Sequence, residues 1–266
     1  MKKKSNKQVQ RSGLLRLTTI IALILSSIQV ANSQNYVENA GCDLGMKMVY
    51  VEGGTFTMGA TSEQSGEASF NESLTHSVTL DSFYIGECEV TQAQWQKIMG
   101  NNPSHFKDNS RPVELVSWEE AQNFCRELSA ITGKTYLLPT EAQWEYAARG
   151  GKHSKGYKYS GSYAIDAVAW YSDNSGGATH PVKQKRANEL GLYDMSGNVW
   201  EWCSDWYGLY SSSSHNNPTG ASSGQYRVLR GGSSSHIARS CRSSCRDRYA
   251  PSGRLDNSGF RVVCLP

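Results

Sequence analysis

His236 and Cys241 stand five residues apart in the run Arg230-Gly-Gly-Ser-Ser-Ser-His-Ile-Ala-Arg-Ser-Cys-Arg242, an imidazole at the position where a second thiol would make a soft-metal pair with Cys241. Other chemical signatures are scarce. The six histidines occur singly, with no His-Glu-x-x-His or Cys-x-x-Cys to suggest zinc, and there is no glycine-rich phosphate loop and no nucleophile elbow. Glu119-Glu120 and Glu141/Glu145 read as the polar sides of helices rather than as a hydrolytic carboxylate pair.

Short elements must position these residues. Met48–Val51 and Thr55–Met58, separated by Gly53-Gly54, read as a hairpin, and Val78–Leu80 and Phe83–Ile85 as further strands. Capping boxes at Thr91/Gln94, Ser117/Glu120 and Thr140/Gln143 start three helices. The second helix puts Ala121, Phe124, Cys125 and Leu128 on one core face and stops at Gly133. The third follows Pro139, carries Trp144 and Ala147-Ala148, and ends at Gly150-Gly151. Two polar stretches, from Gly150 to Lys185 and from Tyr207 to Gln225, read as packed surface loops because Trp170, Trp200, Trp202 and Trp206 are interleaved with them. Arg227–Arg230 and Gly259–Cys264 are expected to be strands, the latter returning the C-terminus to a sheet. No internal repeat is visible.

Six positive residues (Lys2, Lys3, Lys4, Lys7, Arg11, Arg16), an apolar run over 14–28 and the small-x-small pattern Ala31-Asn32-Ser33 read as a secretory signal peptide over 1–33. Its removal lowers the formal net charge from +3 by six, to −3. The basic balance is therefore a targeting feature. With no basic stripe elsewhere, nucleic acid is not an expected partner, and no later segment is long enough to span a membrane. The expected product is exported, to the periplasm or beyond the cell, as a short extension (34–45) and one domain (46–266). All seven cysteines lie beyond the leader, an odd number in an oxidising compartment.

Six ordered blocks carry a family resemblance: Met48–Gly59, Pro112–Trp118, Leu138–Gly150, Gly191–Trp202, Arg230–Ser233 and Gly259–Arg261. Over about residues 46–264 the chain resembles the formylglycine-generating enzyme, or sulfatase-modifying factor, family. The resemblance implies an α+β domain, a loop-rich variant of the C-type-lectin-like fold. It implies oxidation of a sulfatase-type peptide cysteine by oxygen and a copper(I) ion held by two thiolates. One thiolate position falls on Cys241 and the other on His236, so the sulfur pair is broken; a mixed His–Cys site and a substitute thiol at Cys245 are the two ways it could be restored. Ser233 and Trp200 fall on positions lining the enzymes' active-site region. Asp194, Gly197, Val199 and Glu201 fall on a calcium site, where alternating hard oxygen donors suit that ion. The resemblance also points to a bridge from Cys125 to a residue near Val262, for which Cys264 is the available thiol. The expected function divides between that oxidation and a non-catalytic, calcium-stabilised module for a protein, peptide or glycan.

Overall fold

The computed structural model describes residues 34–64 and 66–266; the signal-peptide reading lies outside them. Asn35–Pro266 is one compact unit. Three small sheets carry it. The first has strand order β1 (Tyr36–Glu38), β2 (Met46–Val51), β5 (Phe83–Gly86), β12 (Val263–Cys264) and β6 (Tyr136–Leu137). The second has order β10 (Arg246–Tyr249), β9 (Arg227–Arg230), β7 (Trp200–Trp206) and β11 (Ser258–Gly259), and the third β3 (Gly54–Met58), β4 (His76–Leu80) and β8 (His215–Asn216). The helices are α1 (Phe70–Ser73), α2 (Gln92–Met99), α3 (Trp118–Thr132) and α4 (Glu141–Ala148). Among the described residues none is long and apolar enough to cross a membrane.

The sequence patterns that rest on local chemistry are realised. All three capping boxes form with both reciprocal bonds, at Thr91, Ser117 and Thr140. Gly133 ends α3 in the left-handed region at φ 71°, and Ala121, Phe124, Cys125 and Leu128 are buried. Both long polar stretches are largely irregular, with 3-10 turns at Gly151–His153 and Ile165–Ala167 and the two-residue β8.

Three expectations are corrected. The hairpin across Gly53-Gly54 does not form, because β2 pairs with β1 and β5 while β3 pairs with β4 in another sheet. Gly53 crosses between the sheets against the β4–β5 turn, where a Cβ would lie 2.4 Å from the Leu80 carbonyl oxygen. The segment Gly259–Cys264 is two strands rather than one: Gly259 runs parallel to β7, whereas Val263-Cys264 insert between β5 and β6. Cys125 and Cys264 share a core cluster as free thiols, with the Cys264 sulfur turned toward the Leu265 carbonyl.

Glu141 and Glu145 are also not solvated. Helix α4 is buried nearly all round, and its acids meet arginines from strands. Glu145 pairs with Arg230 and with Arg149, and Glu141 accepts two bonds from Arg246 at 2.8 and 2.6 Å. Arg230 also donates to the carbonyls of Ser243, Ser244 and Cys245. Removing one partner of such a buried pair costs about 3–5 kcal/mol, since a charge is left without compensation. Arg230→Met should therefore lower unfolding stability by about that much in urea titrations. Arg254→Ala, which breaks an exposed pair with Glu120, should leave the midpoint nearly unchanged.

Candidate functional site

After β9, Gly231 and Gly232 take φ of 97° and 75° and turn the chain so tightly that a Cβ on Gly232 would sit 2.7 Å from the Cys241 sulfur. The chain then runs through Ser233–His236 to a 3-10 turn at Ala238–Cys241. From β7, the first residue, Trp200, faces this turn: its ring lies edge-on to the His236 imidazole, with centroids 5.5 Å apart.

Three of the four residues expected at the catalytic position thus come together. His236 Nδ1 lies 2.7 Å from Ser233 Oγ, 3.3 Å from Ser235 Oγ and 3.3 Å from Trp200 Nε1. An indole nitrogen only donates, so Nδ1 accepts and the proton of the neutral ring sits on Nε2. Neither nitrogen then offers a free lone pair to a metal. Burial lowers the His236 pKa, against a weaker pull from Asp247.

Cys241 is fully buried in an apolar cluster with Tyr159, Val168, Ala169 and Tyr171. Burial, reinforced by the neighbouring Cys245, pushes its thiol well above the ordinary range, which disfavours the thiolate a soft metal needs. Cys245 does not rescue the pair. The 3-10 turn ends at Cys241, Arg242 is extended at φ −67° and ψ 148°, and burial pushes Cys245 up to about 11. The residues present do not fit a two-thiolate copper(I) site.

The second expected site lies in the Tyr193–Trp202 segment, where Asp194 and Asn198 sit at φ 56° and 62° and Gly197 at 82°. Gly197 packs against the Trp170 backbone so closely that a Cβ would lie 2.2 Å from its carbonyl oxygen. Asp194 Oδ2 accepts the Lys183 amide at 2.7 Å, while Oδ1 is buried without a partner. Glu201 is less open than its position in the sequence suggests: Arg261 grips both oxygens at 2.6 Å and Trp144 donates to one at 2.8 Å. Val199 offers its amide to a residue the sequence reading missed, Glu89, at 3.1 Å.

Glu89 is fully buried, and its second oxygen accepts from the Asn198 side chain at 2.8 Å. Burial, with Asp194 and Glu201 nearby, holds its pKa well above the carboxylate range. Burial likewise pushes Asp194 up to about 6, with Arg261 and the Lys183 amide opposing and Glu201 adding to the rise. Glu89 and Asp194 thus lie near the Glu201–Arg261 pair, whose guanidinium is fully buried. An orphan carboxylate oxygen beside this excess negative charge fits a hard divalent ion. Among the described residues no three His, Cys, Asp or Glu side chains converge as a ready ligand set, so such an ion would depend on the carbonyls of Gly197 and Val199. The one sequence signal for Glu89 was the alternation Glu87-Cys88-Glu89 at the end of a buried strand.

These features define an α+β domain of the C-type-lectin-like fold, with a site region built on loops. The chain belongs to the family described as the sulfatase-modifying factor enzyme 1-like domain, whose model matches residues 33–265. The chaperone protein LppX of Paenibacillus barcinonensis is 35% identical, over 81% of this chain and 88% of that protein. The formylglycine-generating enzyme of Streptomyces coelicolor is 36% identical, over 65% of this chain and 59% of the enzyme. Among solved structures, Treponema denticola variable protein 1 matches with a TM-score of 0.80 and 33% identity, covering 87% of this chain and 99% of that one.

Replacing the indole removes the N–H that donates to His236 Nδ1 and so favours the neutral ring. In Trp200→Phe the His236 pKa should rise toward the ordinary value, read by NMR titration of the imidazole; an unchanged titration would show that Trp200 does not control the ring.

Proposed function

We propose that this protein is a non-catalytic member of the family, exported to the periplasm or cell exterior, which uses a calcium-stabilised loop scaffold to bind a protein or peptide. The observation that carries the reading is the state of the would-be copper pair: the His236 lone pair faces the Trp200 N–H, and the Cys241 thiol is buried against apolar side chains. What remains is a shaped, rigid surface of loops, a common seat of recognition. A relative similar over most of its own length carries the name chaperone protein, which supports a protein partner over a glycan. The competing reading, oxidation of a sulfatase-type cysteine, draws support from the similarity to formylglycine-generating enzymes, over 59% of the Streptomyces enzyme.

Copper(I) titration of the leader-free protein separates the two. The native chain should take up no copper(I) tightly, and His236→Cys, which restores a second sulfur, should gain binding. With oxygen and copper present, a sulfatase-type cysteine peptide should yield no aldehyde, while fluorescence anisotropy should detect binding of labelled unfolded polypeptides. Aldehyde formation by the native chain, with no polypeptide bound, would overturn the proposal.

The calcium assignment has its own test. Millimolar calcium should raise the melting temperature and a chelator should lower it, by RT ln(1 + [L]/Kd) in free energy, so that the gain grows with concentration. Asp194→Asn should abolish that dependence; a calcium response unaltered by the substitution would remove Asp194 from the site.

A further inference from the structure

The loop Tyr207–Ala221 lines a half-open cavity of about 310 Å³ beside the end of β7 that shares no residue with the His236 or Asp194 groups. Its wall includes Asp205, Glu141, Arg246, His76, Tyr210 and His215. The loop is pinned by a bridge between Trp206 and Ala221, and β8 within it runs parallel to β4. Gly220, at φ 77°, lies so close over Asp205 that a Cβ would come within 2.9 Å of Oδ1.

The hydrogen-bonding inventory of this wall is lopsided. Arg246 directs Nε and Nη2 at Glu141 and Nη1 at the carbonyls of Asn71 and Gly208. The Tyr210 hydroxyl donates to Glu141 at 3.1 Å. His76 Nδ1 lies 3.4 Å from the Leu74 carbonyl, which can only accept, so His76 carries its proton there and leaves Nε2 as an acceptor. Asp205, 3% exposed, accepts through Oδ2 from the Glu141 amide at 2.9 Å and from the Ser204 hydroxyl at 3.1 Å. Its Oδ1 receives no hydrogen bond among the described residues, and Asp205 has no ion-pair partner there. The strong donors are engaged and acceptors remain.

An anion is therefore poorly matched, since Arg246 is already neutralised by Glu141. A sugar ring lacks a platform: the Arg246 guanidinium covers the Tyr210 ring at 3.9 Å, and Arg227 covers Trp206 at 3.4 Å. We propose that this cavity binds a primary ammonium group, with Asp205 Oδ1 as its counter-ion and His76 Nε2 as a second acceptor. The ammonium would come from a lysine side chain or from a free alkyl amine. The electrostatics agree with this assignment: burial and the Glu141 charge push the Asp205 carboxyl up to about 7, against the Glu141 amide, the Ser204 hydroxyl and the Arg246 charge.

Isothermal titration of the leader-free chain with N-acetyl-lysine methylamide, N-acetyl-norleucine methylamide and 1,5-diaminopentane tests the proposal. Saturable binding of either ammonium compound, with the norleucine compound at least about tenfold weaker, is expected, as loss of a charge-assisted bond to a buried acceptor requires. Binding of the lysine derivative without the diamine assigns the peptide source, and the converse assigns the free amine. Asp205→Asn should weaken the ammonium by about tenfold or more. Affinity of the native chain should fall about tenfold from pH 8 to pH 6, because the carboxyl gains its proton across that interval. The other charged or titratable groups lining this cavity are Glu141, Arg246, Tyr210, His76 and His215. The native chain's pH series and the norleucine control decide the matter even if the variant fails to fold. Equal binding of norleucine, absence of the pH effect, or no binding of either ammonium compound would overturn the proposal.

Discussion

Buried guanidinium–carboxylate pairs hold this domain together where regular secondary structure does not. Arg230, Arg242 and Arg261 are all fully buried, and each meets a buried glutamate: Glu145, Glu72 and Glu201. Each also donates to backbone carbonyls in loops, in a 3-10 turn or at a strand end. Arg261 reaches Gly86 and Tyr193, and Arg242 reaches Arg239 and Glu67. A buried carbonyl must be satisfied, and in a sheet or helix a neighbouring amide does it. Here a planar fork with several N–H groups performs that task for several loops at once, with its charge balanced by a glutamate.

That arrangement also frames the site region. The turn bearing His236 is fixed on one side by β9, whose last residue is Arg230, and on the other by Trp200 at the start of β7, whose next residue is Glu201. The loop framework is thus set by ion pairs outside the imidazole–thiol couple. Exchange of a thiol for an imidazole at residue 236 changes the chemistry on offer while leaving those pairs in place.

How much of this was legible in the sequence follows the range of the interactions involved. Caps, the α3 core face and the left-handed glycine at 133 depend on neighbours within a turn or two, and each was readable. Strand partners depend on distant residues, so Gly53-Gly54 looked like a hairpin turn although it is a crossing between sheets. The charged core was the least visible part. Glu141 and Glu145 sit four apart on a short helix, a spacing that ordinarily marks a wet face, and only their partners at 230 and 246 reveal the reverse. The candidate site was legible as a list of residues through family likeness, but the direction of the His236 proton, the orphan oxygen of Asp194 and the part played by Glu89 required coordinates.

The placement of the last strand governs how the domain can be assembled. Val263-Cys264 lie between β5 and β6, so the first sheet remains divided until residues near the end of the chain arrive, and Ser258-Gly259 complete the second sheet just before them. Pairings between residues so far apart in sequence carry a large loop-closure cost before they yield any stability. A nascent chain emerging from the ribosome therefore has neither of these sheets complete until residues 258–264 have been made.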